Sequence, residues 1–211
     1  SSAFANNESS LGDSYCKKED FINTEKFYLN SIYTFKKIHE IDFTNLASPV
    51  VTVVVSNTSV TPNGICYDAT NNRLVFVAWG SNASIRAVSL SDYSMTTLVT
   101  NTGLGNLDGI DLDAYGNYYV ASWSPNRITK YSSEFTSSST ITVTGGLNSP
   151  ADIAYAPEID TLIIPNSGNQ TVRFVGFSPA AIDENEQSEQ TLLFVQQVLW
   201  FSGFGLLILV G

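Results

Sequence analysis

From Ile38 onward the apolar positions of this chain fall into short runs separated by polar turns. Ile38 to Phe43 alternates apolar and polar residues, Thr44 to Pro49 is turn-like, and Val50 to Val55 is a β-branched run. Both runs predict strands, the closing pair of a four-stranded unit. Three similar units follow, at about 61–105, 106–148 and 149–178. Each opens on a shared signature: Pro62-Asn63-Gly64-Ile65, Leu107-Asp108-Gly109-Ile110 and Pro150-Ala151-Asp152-Ile153. The signature isoleucines lie 45 and 43 residues apart. Short strands repeating at that period predict an all-β fold, a β-propeller with blades of four antiparallel strands.

Within each unit the strands can be placed from the pattern. The first are Ile65 to Asp68, Ile110 to Asp113 and Ile153 to Ala156. Asn71-Asn72 and Tyr115-Gly116-Asn117 supply tight turns. The second strands, Leu74 to Trp79, Tyr118 to Trp123 and Leu162 to Pro165, are almost wholly apolar, as suits strands buried on both faces. The third are Ile85 to Leu90, Ile128 to Ser132 and Val172 to Phe177, with Arg86, Arg127 and Arg173 beside the first apolar residue of each. The fourth are Thr96 to Thr100 and Ile141 to Thr144; the last unit shows no clear fourth strand.

These readings divide the chain into a lead-in of unclear structure (1–37), propeller blades (38–178), an acidic linker (179–191) and an apolar tail (192–211). The tail has no charged residue over 20 positions, long enough for a membrane anchor, but Gln196, Gln197, Ser202, Gly203 and Gly205 weaken that reading. A truncated further domain or a buried tail is the alternative. Three to four blades make an incomplete ring, since closed propellers have about four to eight. Two copies completing a ring as a homodimer, or a fragment of a longer propeller, are the two expectations.

Composition narrows the function classes. A net charge of −10 disfavours nucleic acid and anionic lipid surfaces, both of which need clustered Lys and Arg. Few basic residues and much Ser, Thr, Asn and Tyr point to a secreted or cell-surface protein, with the periplasm second. Cys66 sits in an apolar strand and reads as a buried thiol, while a Cys16–Cys66 disulfide stays open. Asn7, Asn57, Asn82 and Asn169 fit the N-glycosylation pattern, which chance readily produces in such a chain. The single histidine, His39, and the absence of a G-x-S-x-G elbow leave little basis for a serine or cysteine hydrolase or for a zinc site.

The candidate chemistry lies in the signature. Inner strands start beside the central channel, so Asn63 and Asp108 should converge there from neighbouring blades. Their oxygens are hard ligands suited to Ca²⁺ or Mg²⁺, and Asp108 could act as a base; equally, Asx residues before glycine cap turns. Trp79 and Trp123, 44 residues apart, either line the channel or pack between blades. Asp113 matches Asp68 in the repeat and reads as a turn residue.

Asp108-Gly-Ile-Asp-Leu-Asp-Ala-Tyr-Gly-Asn-Tyr-Tyr-Val-Ala-Ser-Trp123, followed by Asn126-Arg127-Ile128, resembles a blade of the NHL and SMP-30/gluconolactonase group of six-bladed propellers. The resemblance covers about residues 61–178. It implies a divalent metal held by a Glu of an early blade, the Asn of Pro-Asn-Gly and the Asp of an Asp-Gly one blade later. Asn63 and Asp108 match the last two; nothing in 1–60 shows the motif of the first. Two readings follow: an extracellular, non-catalytic module binding a protein, carbohydrate or other small molecule at the channel face, or a metal-dependent lactone hydrolase with Asn63 and Asp108 at the metal.

Overall fold

The computed structural model describes residues 15–18, 26–30, 36–42, 44–45 and 47–177. The acidic linker and the apolar tail lie outside the described residues. Among the described residues, fifteen strands form four antiparallel sheets, each a simple meander. The first blade is β1 (Tyr15–Lys18), β2 (Lys26–Asn30), β3 (Ile38–Asp42) and β4 (Val50–Val55). The second is β5 (Thr61–Asp68), β6 (Arg73–Trp79), β7 (Ile85–Ser89) and β8 (Met95–Val99). The third is β9 (Gly105–Leu112), β10 (Tyr118–Ser124), β11 (Asn126–Tyr131) and β12 (Ser138–Ile141). The fourth has three described strands, β13 (Ala154–Ala156), β14 (Thr161–Asn166) and β15 (Thr171–Gly176). The stretch the sequence left unclear before Ile38 thus contributes the first two strands of a complete blade. The four blades do not close into a ring among the described residues.

The first strands of successive blades lie against one another, β1 on β5, β5 on β9 and β9 on β13. The core is accordingly not one mass but three layers, one in each gap between blades. Ile38 and Val55 meet Ile65, Leu74 and Phe76 in the first gap. Val75, Val77 and Ile85 meet Leu107, Tyr118 and Val120 in the second. Tyr119, Ala121 and Ile128 meet Ile153, Leu162 and Ile164 in the third. Strand alternation sends Leu74 and Phe76 one way and Val75 and Val77 the other. The middle strands are therefore apolar without interruption because both of their faces are interiors. At about 25 cal/mol per Å² of apolar surface, these layers hold the blades together.

Each signature is a β-bulge. Pro62 pairs with Ala78 and Ile65 with Phe76, so Asn63 and Gly64 together face one residue of β6. Leu107 pairs with Ser122 and Ile110 with Val120, giving Asp108 and Gly109 the same place. In the fourth blade Pro150 bridges Asn166 and Ala154 pairs with Ile163, again with one residue extra on the inner side. The glycines are needed for close approach. A Cβ on Gly64 would stand 2.3 Å from the Asp108 carbonyl oxygen, and one on Gly109 would stand 2.5 Å from the Ile153 nitrogen. Backbone therefore rests on backbone across both gaps.

The first two crossovers from one blade to the next are built alike. Thr58 gives its N–H and its hydroxyl to the Lys36 carbonyl, and Thr102 gives both to Ala83. The preceding Asn57 and Asn101 accept from Ser59 N and Gly103 N, both at 2.8 Å. Ser59 and Gly103 adopt positive φ, 61° and 70°. The Asn57 glycosylation pattern thus coincides with a crossover turn.

Two strand placements differ from expectation. The fourth strand of the third blade is Ser138–Ile141, not 141–144; it is an exposed edge with one pairing partner, so its serines need no apolar pattern. Arg127 is not the counterpart of Arg86 and Arg173. The rows Ile65–Phe76–Arg86 and Ile153–Ile164–Arg173 correspond to Ile110–Val120–Thr129, with threonine in the arginine's place.

Replacing Gly64 or Gly109 by alanine is expected to lower stability by about 1–3 kcal/mol or to prevent folding, because the contact is with backbone that cannot move aside. Gly176→Ala is the control, since its Cβ would meet Thr161 Oγ1 at an ordinary 3.6 Å. Urea unfolding of the three variants checks this; a Gly109→Ala as stable as Gly176→Ala would contradict it.

Candidate functional site

The bulges bring the polar residues of the signature to one line along the inner strands. Asn63 is buried, 4% exposed, and its Nδ2 donates across the gap to the Leu107 carbonyl at 3.2 Å. Asp108 follows directly in the same strand and is partly exposed. Burial pushes its carboxyl up to about 7, against the pull of the Trp123 and Asn63 side-chain donors that favour its charged form. The better-formed bonds of those two donors go to carbonyls: Trp123 Nε1 donates to Pro150 O at 2.9 Å, as Asn63 does to Leu107 O. Asn63 and Asp108, predicted to converge, are thus neighbours across the second gap. The third signature carries Ala151 at this place.

Trp79 and Trp123 meet each other. Their ring centroids are 5.0 Å apart at 79°, an edge-to-face pair bridging the second and third blades. Trp79 pairs with Thr61 at the start of β5, so the pair sits at the end of the blades where the inner strands begin.

Asp152, which the sequence reading passed over, stands in the glycine position of the third signature. Its carboxyl is pushed up to about 8, by burial first and then by the negative charges of Asp108 and Asp111. Asp111 is pushed up to about 6 by burial, opposed by two backbone bonds. One of them ties blades together: Asp111 Oδ2 accepts from Tyr155 N at 2.7 Å, while Oδ1 accepts from Leu112 N of its own strand at 2.8 Å. The signal for Asp152 was present in the sequence as an acidic residue replacing a glycine. The signal for Asp111 was weaker, because its partner is a backbone amide.

Asp68 and Asp113, the two more deeply buried aspartates, have a different task. Asp68 accepts from Asn71, Arg73 and Tyr118. Asp113 accepts from Tyr115 N, Asn117, Tyr119 and Lys130. In both, burial raises the pKa but the hydrogen bonds prevail and hold it below the usual range. They organise the first hairpin turn of their blades.

Among the described residues, no group of three or more His, Cys, Asp or Glu side chains is arranged to hold a metal ion. Asn63 and Asp108 offer two side chains with hard oxygens, and the oxygens of Asp111 are engaged by amides. Two side-chain ligands leave most of the six to eight oxygens that Ca²⁺ takes to be supplied by backbone carbonyls, other side chains or water. Among the described residues no helix is long and apolar enough to cross a membrane.

Asp108 and Asp152 fix a pH dependence. A carboxyl whose folded pKa is raised binds more protons folded than unfolded, so it stabilises below about pH 4 and loses that contribution as pH rises towards 7 or 8. Thermal stability is expected to fall between pH 5 and 8, where Asp68 and Asp113 stay ionised. Asp152→Asn should flatten the slope by removing the carboxyl that is pushed up furthest. Melting curves of both proteins across that range decide it; an unchanged slope in the variant would contradict the assignment.

The sequence matches no protein-family model and no curated protein. Solved structures are similar in fold. A gluconolactonase from Xanthomonas campestris aligns with a TM-score of 0.59 at 12% identity, covering 78% of this chain and 57% of that one. A chain of a nidogen/laminin complex aligns with a TM-score of 0.57 at 15% identity, covering 77% and 56%. A streptogramin B lyase aligns with a TM-score of 0.52 at 14% identity, covering 82% and 56%. The chain spans a little over half the length of each. At these identities the likeness is one of fold, and the fold is an unclosed β-propeller shared with binding modules and enzymes alike.

Proposed function

We propose that this chain is an extracellular, NHL-like propeller module that binds a protein or carbohydrate ligand at its channel face without catalysis. One observation carries the reading: consecutive bulges align Asn63 and Asp108 on the inner strands, beside the Trp79–Trp123 pair, with Asp152 one position past the corresponding place in the fourth blade. Burial pushes the Asp108 carboxyl up to about 7, which brings its protonated form within reach near neutral pH. It can therefore donate or accept a hydrogen bond, as a polar, uncharged ligand group requires. Indole edges beside such groups suit sugar rings and peptide side chains. That one structural neighbour comes from a nidogen/laminin complex supports a role in protein interaction.

The second reading, a lactone hydrolase dependent on Ca²⁺ or Mg²⁺ with Asn63 and Asp108 as ligands, is favoured by their juxtaposition and by the gluconolactonase neighbour. It requires donors beyond those described.

Screening the protein on glycan and peptide arrays tests the first reading. Asp108→Asn is expected to weaken any ligand found by about tenfold, or about 1.4 kcal/mol. Binding untouched by both Asp108→Asn and Asp152→Asn would overturn the channel-face assignment. The readings separate on thermal shift in millimolar CaCl₂ or MgCl₂. No cation-dependent rise is expected; a rise lost in Asp108→Ala, together with lactone hydrolysis, would replace the first reading by the second.

A further inference from the structure

The row of Arg86, Thr129 and Arg173 holds an imbalance that the channel site does not use. Arg86 Nη1 reaches across its gap to the Thr58 carbonyl at 2.9 Å, and its Nε donates to Ser84 Oγ at 3.2 Å. Arg173 Nη2 reaches the Gly145 carbonyl at 3.1 Å. Both arginines thereby hold the crossover that leads into their own blade. In the third blade the row carries Thr129, too short for that reach. Thr129 is 3% exposed and its hydroxyl has no hydrogen-bond partner.

Arg127 lies two positions earlier on the same strand and so on the same face, about 6.6 Å away along the backbone. Its Nε is also buried and also lacks an acceptor. Tyr131, the next residue of that face, belongs to the layer between the second and third blades. The face therefore looks into the second gap, towards the crossover around Thr102. Arg73 pairs with Asp68 and Lys130 with Asp113, while Arg86 and Arg173 are held by crossover carbonyls rather than by carboxylates, with Arg173 Nε also unbonded. Arg127 has no carboxylate partner among the described residues.

A buried cationic N–H beside a buried, unpaired hydroxyl on one strand face is a donor set in want of an acceptor that also carries charge. A water molecule would meet the hydrogen bonds and leave the guanidinium unbalanced. We propose that the gap between the second and third blades binds a small monovalent anion, of the chloride type, between Arg127 Nε and the Thr129 hydroxyl. The anion would stand in for the arginine-to-crossover link that the neighbouring blades make through protein.

Thermal unfolding in sodium chloride and in sodium gluconate of equal ionic strength tests the proposal. At chloride about tenfold above its dissociation constant, the wild type is expected to melt about 2–6 °C higher than in gluconate. Thr129→Val, which keeps shape and removes the hydroxyl, and Arg127→Gln should each abolish most of that increment. Equal melting temperatures in the two salts would overturn the proposal, as would an increment that survives in both variants. Crystals grown with bromide give an independent reading: an anomalous peak between the two side chains supports the site, and ordered water without a peak overturns it.

Discussion

The contact on which the rest of the molecule depends is backbone resting on backbone at the inner strands. Gly64 lies against Asp108 and Gly109, and Gly109 lies against Asp152 and Ile153. No side chain fits between them. This approach sets the spacing of the blades, and the spacing decides how wide the apolar layers are and which residues fill them. It also explains why the polar residues beside the glycines line up. A bulge adds one residue where the chain is most constrained, and the extra residue leaves the ladder.

The aspartates show how one residue type takes several roles by position. Asp68 and Asp113 sit at the far end of the first strand and are surrounded by donors, so they stay charged and fix turns. Asp108, Asp111 and Asp152 sit where the blades meet, with fewer donors and more neighbouring charge. Burial there favours the protonated form. Asp111 and Asp113 fall in different groups only two residues apart, and it is the set of nearby N–H and O–H groups that distinguishes them.

Much of the fold was legible because both faces of the middle strands are buried. Leu74 to Trp79 and Tyr118 to Trp123 could hardly be read otherwise, and the signature spacing supplied the period. Edge strands were less legible. Ser138–Ile141 is exposed and pairs on one side, so nothing in its composition marks it; β1 and β2 carry no clear alternation either. The repeat of Asn57-Thr58 at Asn101-Thr102 was visible but unused, since the glycosylation pattern gave Asn57 a different meaning. At the site, the meeting of Asn63 and Asp108 followed from the repeat. The mutual contact of the two tryptophans was one of two alternatives that periodicity alone leaves open. Thr129 became visible only by register: it is an exception within a row, and rows do not exist until the strands are paired.

The alternation of the middle strands has a consequence for how this chain can change over time. Residues next to each other in sequence, such as Leu74 and Val75 or Tyr118 and Tyr119, answer to different interfaces and belong to different core layers. Each such strand is in effect two interleaved texts, one addressed to the blade before and one to the blade after. A substitution alters a single address, and compensating changes must be sought some forty residues away rather than next door. Drift can therefore remodel one seam of the propeller while leaving the adjacent seam as it was.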